Sequence, residues 1–315
     1  MTFRNGSLNL LMRASIWLLT STLAFVCLSM PIAAKEFYTL ADIGQVDFGL
    51  KPDQELVYKT VTLDGKTVQL KIHVFYPKGH QISEQRPAAV FYHGGGWYGG
   101  TPDQFYPQCR YLALRGMVAF SVQYRTINGF KTTPKECVID GISAMRWLRK
   151  NAAKLGIDPQ KMAAGGGSAG GHIASAVAFT NAFQDPCDDH KVDKVPNALL
   201  LYNPVFDNGP KGFAHGLVRQ YWKEISPIHN IGKNPPPSLV ITGTEDKYLP
   251  VPTVEHYKSL VEAQGGRCDL LVYQDREHGF FNIFKNKEDL VDTTIKLDEF
   301  LSSLGYLSGE PILRR

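Results

Sequence analysis

The segment Gly166-Gly167-Ser168-Ala169-Gly170 constrains this chain more than any other. It follows an apolar run of strand character, Lys161 to Gly165, and precedes a helical run, Ile173 to Ala178. A serine held between a strand and a helix must turn sharply on a strained backbone, and only glycine-sized neighbours at 166 and 170 let the two elements crowd so closely. The turn lifts the hydroxyl above the sheet and aims the positive end of the helix dipole at it. Taken alone, the segment is equally well a tight connection or a phosphate cradle. A P-loop is ruled out because no Lys-Ser/Thr pair closes the motif.

The surrounding chain alternates strand-like and helix-like segments, which predicts an α/β architecture: a mostly parallel central sheet with helices on both faces. Leu56–Leu63 and Val68–Tyr76, joined by an Asp64-Gly65 turn, read as an antiparallel hairpin at the sheet edge. Further strands are expected at Ala88–Tyr92, Met117–Tyr124, Lys161–Gly165, Ala198–Tyr202, Ser238–Thr242 and Asp269–Tyr273. Thr101-Pro102-Asp103-Gln104 and Thr133-Pro134-Lys135-Glu136 both have the form of a capping box with proline at the first helical position. The first helix should stop at Gly116. After the second, Val138, Ile142, Met145 and Leu148 recur at helical spacing and form a core stripe. Helices are also expected after Ser168, over Val254–Ala263 and over Lys287–Leu301. No internal repeat or linker divides residues 35–315, which reads as a single domain. The longest irregular stretch, Asn203 to Pro237, is the natural place for a lid or a substrate wall.

The first 34 residues read as a targeting segment. Arg4 and Arg13 precede an apolar run, Ala14–Met30, which ends before Pro31-Ile32-Ala33-Ala34. Serines and threonines within that run argue for a cleaved secretory signal over a membrane anchor, with cleavage after Ala34, and the expected location is secreted or periplasmic. Val26 is a poor fit to the small residue that precedes a lipidated cysteine, which argues against an anchor on Cys27. No other run could span a bilayer, so no stable membrane insertion is expected once the signal is removed. The net charge of +4 gives no electrostatic case for nucleic acid, and no Lys/Arg stripe is interleaved with aromatics.

Export would permit disulfides among Cys109, Cys137, Cys187 and Cys268. The favoured pair is Cys109 with Cys137, both near helix starts, a bond that contributes ~3 to 4 kcal/mol in the chain-entropy model. Four unpaired thiols is the competing reading. No two cysteines have zinc spacing and the histidines are scattered, so no metal is expected.

The chemistry concentrates where strands end. His93-Gly94-Gly95-Gly96-Trp97 leaves the strand ending at Tyr92, and its consecutive glycines expose backbone N–H groups. With Ala169 N–H they form a candidate oxyanion hole, in which one donor is typically worth ~3 to 4 kcal/mol of transition-state stabilisation. Downstream, Ser238–Thr242 runs into Gly243-Thr244-Glu245-Asp246, and Asp269–Tyr273 into Arg276-Glu277-His278-Gly279-Phe280. A carboxylate and an imidazole thus fall at the same sheet edge as Ser168, in the order Ser, Asp, His. Asp246 is preferred to Glu245 as the orienting acid. His278 is preferred as base to His172, which sits one helical turn past the serine and is expected to pack against the sheet.

Together, His93-Gly94-Gly95-Gly96-Trp97, Gly166 to His172, Gly243-Thr244-Glu245-Asp246 and His278-Gly279-Phe280 resemble the hormone-sensitive-lipase-like branch of the α/β-hydrolases. More narrowly, they are similar to exported bacterial carbohydrate esterases that remove acetyl or feruloyl groups. The resemblance spans roughly residues 56 to 304. It implies Ser168 as nucleophile, His278 as base, Asp246 as its partner, and Gly95, Gly96 and Ala169 as oxyanion donors. It also implies a small-molecule or polysaccharide ester as substrate and no cofactor. Only residues 35–55 lie between the signal and the first strand, so the long helical cap of the lipase-like branch is not expected; an open cleft without a large cap domain is. Trp97, Tyr98, Phe280 and Phe281 flank the expected site, and either contact substrate or line the core. Arylformamidase-like amide hydrolysis, peptidase activity and a catalytically silent binding module are the competing functions.

Overall fold

The computed structural model describes residues 50–314, so the proposed signal over residues 1–34 lies outside the described residues. Eight strands form one sheet in the spatial order β1-β2-β4-β3-β5-β6-β7-β8. They are β1 (Gln54–Leu63), β2 (Lys66–Phe75), β3 (Arg86–Tyr92), β4 (Val118–Val122), β5 (Ile157–Gly167), β6 (Ala198–Tyr202), β7 (Ser238–Gly243) and β8 (Cys268–Tyr273). The edge hairpin β1–β2 and the β2–β4 pair are antiparallel; every other pairing is parallel.

Parallel strands covered on both faces read as continuous apolar runs, and the packing shows why. Along β3, Ala88, Val90 and Tyr92 point into one core while Ala89 and Phe91 point into the other. The first core is closed by α2 (Pro134–Lys150), α3 (Ala169–Phe179) and α4 (Val251–Ala263). The second is closed by α1 (Tyr106–Leu114) and α5 (Lys287–Ser303). The helical stripe Val138, Ile142, Met145 and Leu148 is fully buried in the first core, as its spacing predicts.

Two local expectations need correction. At Thr133 the capping box forms, with Glu136 Oε2 accepting from Thr133 N–H at 2.9 Å. At Thr101 it does not. A single 3₁₀ turn, Pro102–Phe105, precedes α1, and Thr101 makes no side-chain cap bond. Gln104 reaches instead for two loops of the candidate site. The second correction concerns the Cys109–Cys137 pair. Cys109 lies on α1 in one core and Cys137 on α2 in the other, so the sheet separates them, and all four thiols of the described residues are free.

The stretch after β6 contains three short turns of helix, His215–Val218, Trp222–Ile225 and Pro227–His229. Val218 and Ile225 anchor it in the first core, and Phe213 faces the site. No helix of the described residues is long and apolar enough to cross a membrane.

Candidate active site

Ser168 sits between β5 and α3 with φ 54° and ψ −118°, a conformation that costs a non-glycine residue of order 1–3 kcal/mol. Close packing holds it there. A Cβ on Gly170 would lie 1.9 Å from the Tyr92 carbonyl oxygen, and one on Gly166 would lie 2.4 Å from the same atom. Only bare backbone lets α3 start against the end of β3. The Ser168 N–H is tied to Tyr202 O at 2.9 Å, which binds the turn to the end of β6.

The imidazole of His278, on the loop after β8, places Nε2 2.9 Å from Ser168 Oγ. Its Nδ1 is 2.7 Å from Asp246 Oδ2, on the loop after β7. Asp246 is buried, and its remaining acceptor positions are filled: Oδ1 accepts from the N–H groups of Tyr248 and Leu249, each at 3.0 Å, and Oδ2 accepts from Asn203 Nδ2 at 2.8 Å. Leaving buried carboxylate oxygens without such donors would cost their full desolvation. Glu245 is exposed beside it and takes no part in this chain. His172 is fully buried, its Nε2 bonded to Ile225 O at 3.0 Å and its ring edge-on to Trp97. Burial pushes it down to about 4, so it stays neutral and structural.

Facing Ser168 is the glycine loop after β3. Gly95 and Gly96 have φ of 115° and 62°, and a Cβ on Gly95 would lie 2.3 Å from Gly99 O. Neither N–H meets an acceptor among the described residues. As the first residue of α3, Ala169 likewise has an N–H with no intrahelical partner. The loop is fixed from behind. The Tyr124 hydroxyl donates to His93 O at 2.7 Å, Ile127 N–H to Trp97 O at 2.9 Å, and Gly94 N–H to Gln104 Oε1 at 2.5 Å.

Ser168, His278, Gly95 and Gly96 line a cleft of about 350 Å³, with Phe213, Tyr248 and Phe281 as its aromatic members and Gln104, Asn282 and Lys285 as its polar ones. Of the four aromatic residues expected to flank the site, only Phe281 lines this cleft. Trp97 is fully buried beneath the glycine loop, against His172 and Phe213. Tyr98 is half exposed outside the cleft lining, and Phe280 is buried on Tyr273. The neighbouring Phe281 lines the cleft, packed on Phe105 and Tyr202. Phe213 comes from the stretch 203–237 that the sequence offers as a substrate wall, whereas the roles of Asn203, Gln104, Tyr248, Asn282 and Lys285 were not read from sequence. The available signals were weak: Asn203 stands at the end of a strand, and Tyr248 lies two residues past the acid. Among the described residues, no cluster of His, Cys, Asp and Glu could hold a metal ion.

A strained serine turn between strand and helix, with acid and base on later strand ends, defines an α/β hydrolase. The family model described as alpha/beta hydrolase fold matches residues 89–282, and the chain belongs to that family. Among its relatives, carboxylesterase NlhH of Mycobacterium tuberculosis is 36% identical over 131 residues, which cover 41% of this chain and 39% of that protein. The acetylxylan esterase of Xylanibacter ruminicola is 26% identical over 192 residues, covering 56% of this chain and 37% of the esterase. The chain therefore spans well under half the length of both. A solved structure of a thermophilic esterase from Thermogutta terrifontis, Est2 with propionate bound, superposes with a TM-score of 0.78 at 36% identity. That match covers 83% of this chain and 98% of the other.

Proposed function

We propose that the chain is a serine carboxylic-ester hydrolase working through an acyl-enzyme. The observation that carries this reading is the continuous chain Ser168 Oγ–His278 Nε2 and His278 Nδ1–Asp246 Oδ2, at 2.9 and 2.7 Å, opening onto unpartnered loop amides. Ser168 Oγ attacks the ester carbonyl carbon while its proton passes to His278 Nε2. Asp246 accepts from Nδ1–H, which fixes the tautomer and stabilises the imidazolium. The N–H groups of Gly95, Gly96 and Ala169 bind the oxyanion. When the intermediate collapses, His278 protonates the departing alcohol; water then attacks the acyl-enzyme with the same histidine as base, releasing the acid and Ser168.

Acetylated or feruloylated carbohydrate is the substrate class we favour. The cleft presents aromatic surface from Phe213 and Tyr248, which suits the apolar face of a sugar. The acetylxylan esterase among the relatives points the same way. We further propose that residues 1–34 direct export to the periplasm or outside the cell, a reading that N-terminal sequencing of the exported protein tests: it should begin at Lys35.

Ser168→Ala should abolish hydrolysis of p-nitrophenyl acetate and labelling by a fluorophosphonate while leaving the melting temperature within a few degrees. A variant that keeps most of its activity refutes the assignment. Side-by-side rates on acetylated xylan, feruloyl esters and an aryl formamide decide the substrate, and a clear preference for the formamide replaces esterase by amidase.

A further inference from the structure

One buried side chain outside the Ser–His–Asp chain bridges the acid loop and the base loop. Asn203 is fully buried at the end of β6. Its backbone has positive φ, 41°, which asparagine tolerates better than most residues. Its N–H donates to Ile241 O of β7 at 2.7 Å, while the carbonyl just before it, on Tyr202, receives the Ser168 N–H. Its side chain then spans the acid and base loops: Nδ2 donates to Asp246 Oδ2 at 2.8 Å, and Oδ1 accepts from the N–H of Gly279, next to His278, at 3.4 Å. A carboxylate only accepts and a backbone N–H only donates, so one orientation of the amide satisfies both partners. A carboxylate has about four lone-pair sites. Those of Asp246 are taken by Tyr248 N–H, Leu249 N–H, His278 Nδ1–H and Asn203 Nδ2–H, so Asn203 supplies the one side-chain donor besides the imidazole itself.

We propose that Asn203 is a positioning residue for hydrolysis: by sharing Asp246 Oδ2 with His278 and gripping the Gly279 N–H, it holds acid and base in register with Ser168. Asn203 is not placed to touch substrate, since it does not line the cleft. It acts through the groups it holds. The inference rests on the ester-hydrolase reading, which loss of wild-type activity in Ser168→Ala establishes separately.

The test is Asn203→Asp, a near-isosteric change compatible with the backbone, with Asn203→Leu as the variant that removes both bonds without adding charge. Turnover of p-nitrophenyl acetate is measured against pH and normalised to active sites counted by fluorophosphonate titration, so that misfolded protein does not contribute. The groups facing His278 are Asp246 and Ser168 by direct bonds, Tyr248 by ring contact at 5.2 Å, and Lys285 on the cleft lining. A carboxylate at 203 adds negative charge beside Asp246, which favours the protonated imidazole. The acid limb of kcat/KM should therefore move to higher pH in Asn203→Asp. In both variants kcat per active site should fall on the order of 10- to 100-fold, the cost of about 1 Å of misplacement, with KM within about twofold of wild type. A purely structural role would lower the melting temperature and the count of active sites but leave kcat per site and the acid limb where they are. That result in Asn203→Leu, which has no donor in any protonation state, overturns the proposal. If neither variant yields titratable sites, a proton NMR spectrum of folded Asn203→Asp decides: an unchanged low-field His278 Nδ1–H resonance overturns it, and a displaced one supports it.

Discussion

Gly170→Ala tests whether the serine turn and the glycine loop are a single packed unit. The added methyl would lie 1.9 Å from Tyr92 O and 2.6 Å from His93 O, both backbone atoms at the point where β3 becomes the loop carrying Gly95 and Gly96. Restoring an ordinary contact requires a retreat of about 1.5 Å. Neither partner has a flexible side chain to absorb it, so α3 and the end of β3 must separate, moving Ala169 N–H away from the Gly95 and Gly96 amides. Overpacking of this kind costs about 1–3 kcal/mol of stability. The loss in kcat should be larger, on the order of 100-fold, because an oxyanion donor displaced by more than 1 Å is nearly a lost one. Gly99→Ala is the matched control. It lies in the same loop with no atom within 4 Å of its would-be Cβ, and it should leave kcat within about twofold and stability within about 0.5 kcal/mol of wild type. The assay is p-nitrophenyl acetate turnover per titrated active site, alongside urea denaturation. A Gly170→Ala enzyme with wild-type stability and kcat within about threefold would show that the contact between α3 and β3 does not set the geometry of the site.

Lys285 is the one lysine or arginine among the residues lining the cleft, so Lys285→Glu should lower the rate ratio for anionic over neutral esters by on the order of fivefold at low salt. An unchanged ratio removes it from substrate selection. Burial pushes the thiols of Cys109 and Cys137 well up and that of Cys268 to about 12, so in the folded protein at pH 8 only Cys187 of the described residues should react with a thiol reagent. Unfolding without reductant should release the other three, and a shortfall of two thiols would point to a disulfide. Asp298→Ala should destabilise by about 3–5 kcal/mol in denaturant titration, because the buried carboxylate is bonded by both Tyr111 and Arg115 and its loss strands the guanidinium. None of these three residues lines the cleft, so kcat per active site should hold.

How far the site could be read from sequence depends on which neighbours decide a residue's role. Ser168 follows directly on β5, while Asp246 and His278 stand on the loops after β7 and β8, and parallel strands of one sheet end on one edge, so their convergence follows from local pattern and topology together. The same logic recovers the strands, whose apolar runs reflect burial on both faces. It fails wherever a distant loop decides. Thr101 to Gln104 matches a capping box, yet the Gln104 amide accepts from Gly94 N–H and donates to Asn282 at 2.8 Å, two bonds that no local pattern displays. Trp97 and the pair Phe280–Phe281 show the same failure at the scale of one residue. Trp97, at φ 65°, turns beneath its loop, while Phe280 and Phe281 diverge to Tyr273 and to Phe105 with Tyr202, so only the second reaches the cleft. Cys109 and Cys137 look adjacent because both sit near helix starts, but α1 and α2 cover opposite faces of the sheet. Asn203 is the sharpest case: its position at a strand end is legible, whereas its partners at 246 and 279 belong to loops after two other strands, β7 and β8. The reacting groups of this fold are thus announced by their own segments, and the amides that align them are recruited across segments. Substitutions at Gln104 and Asn203 should therefore act on turnover more than on the fold.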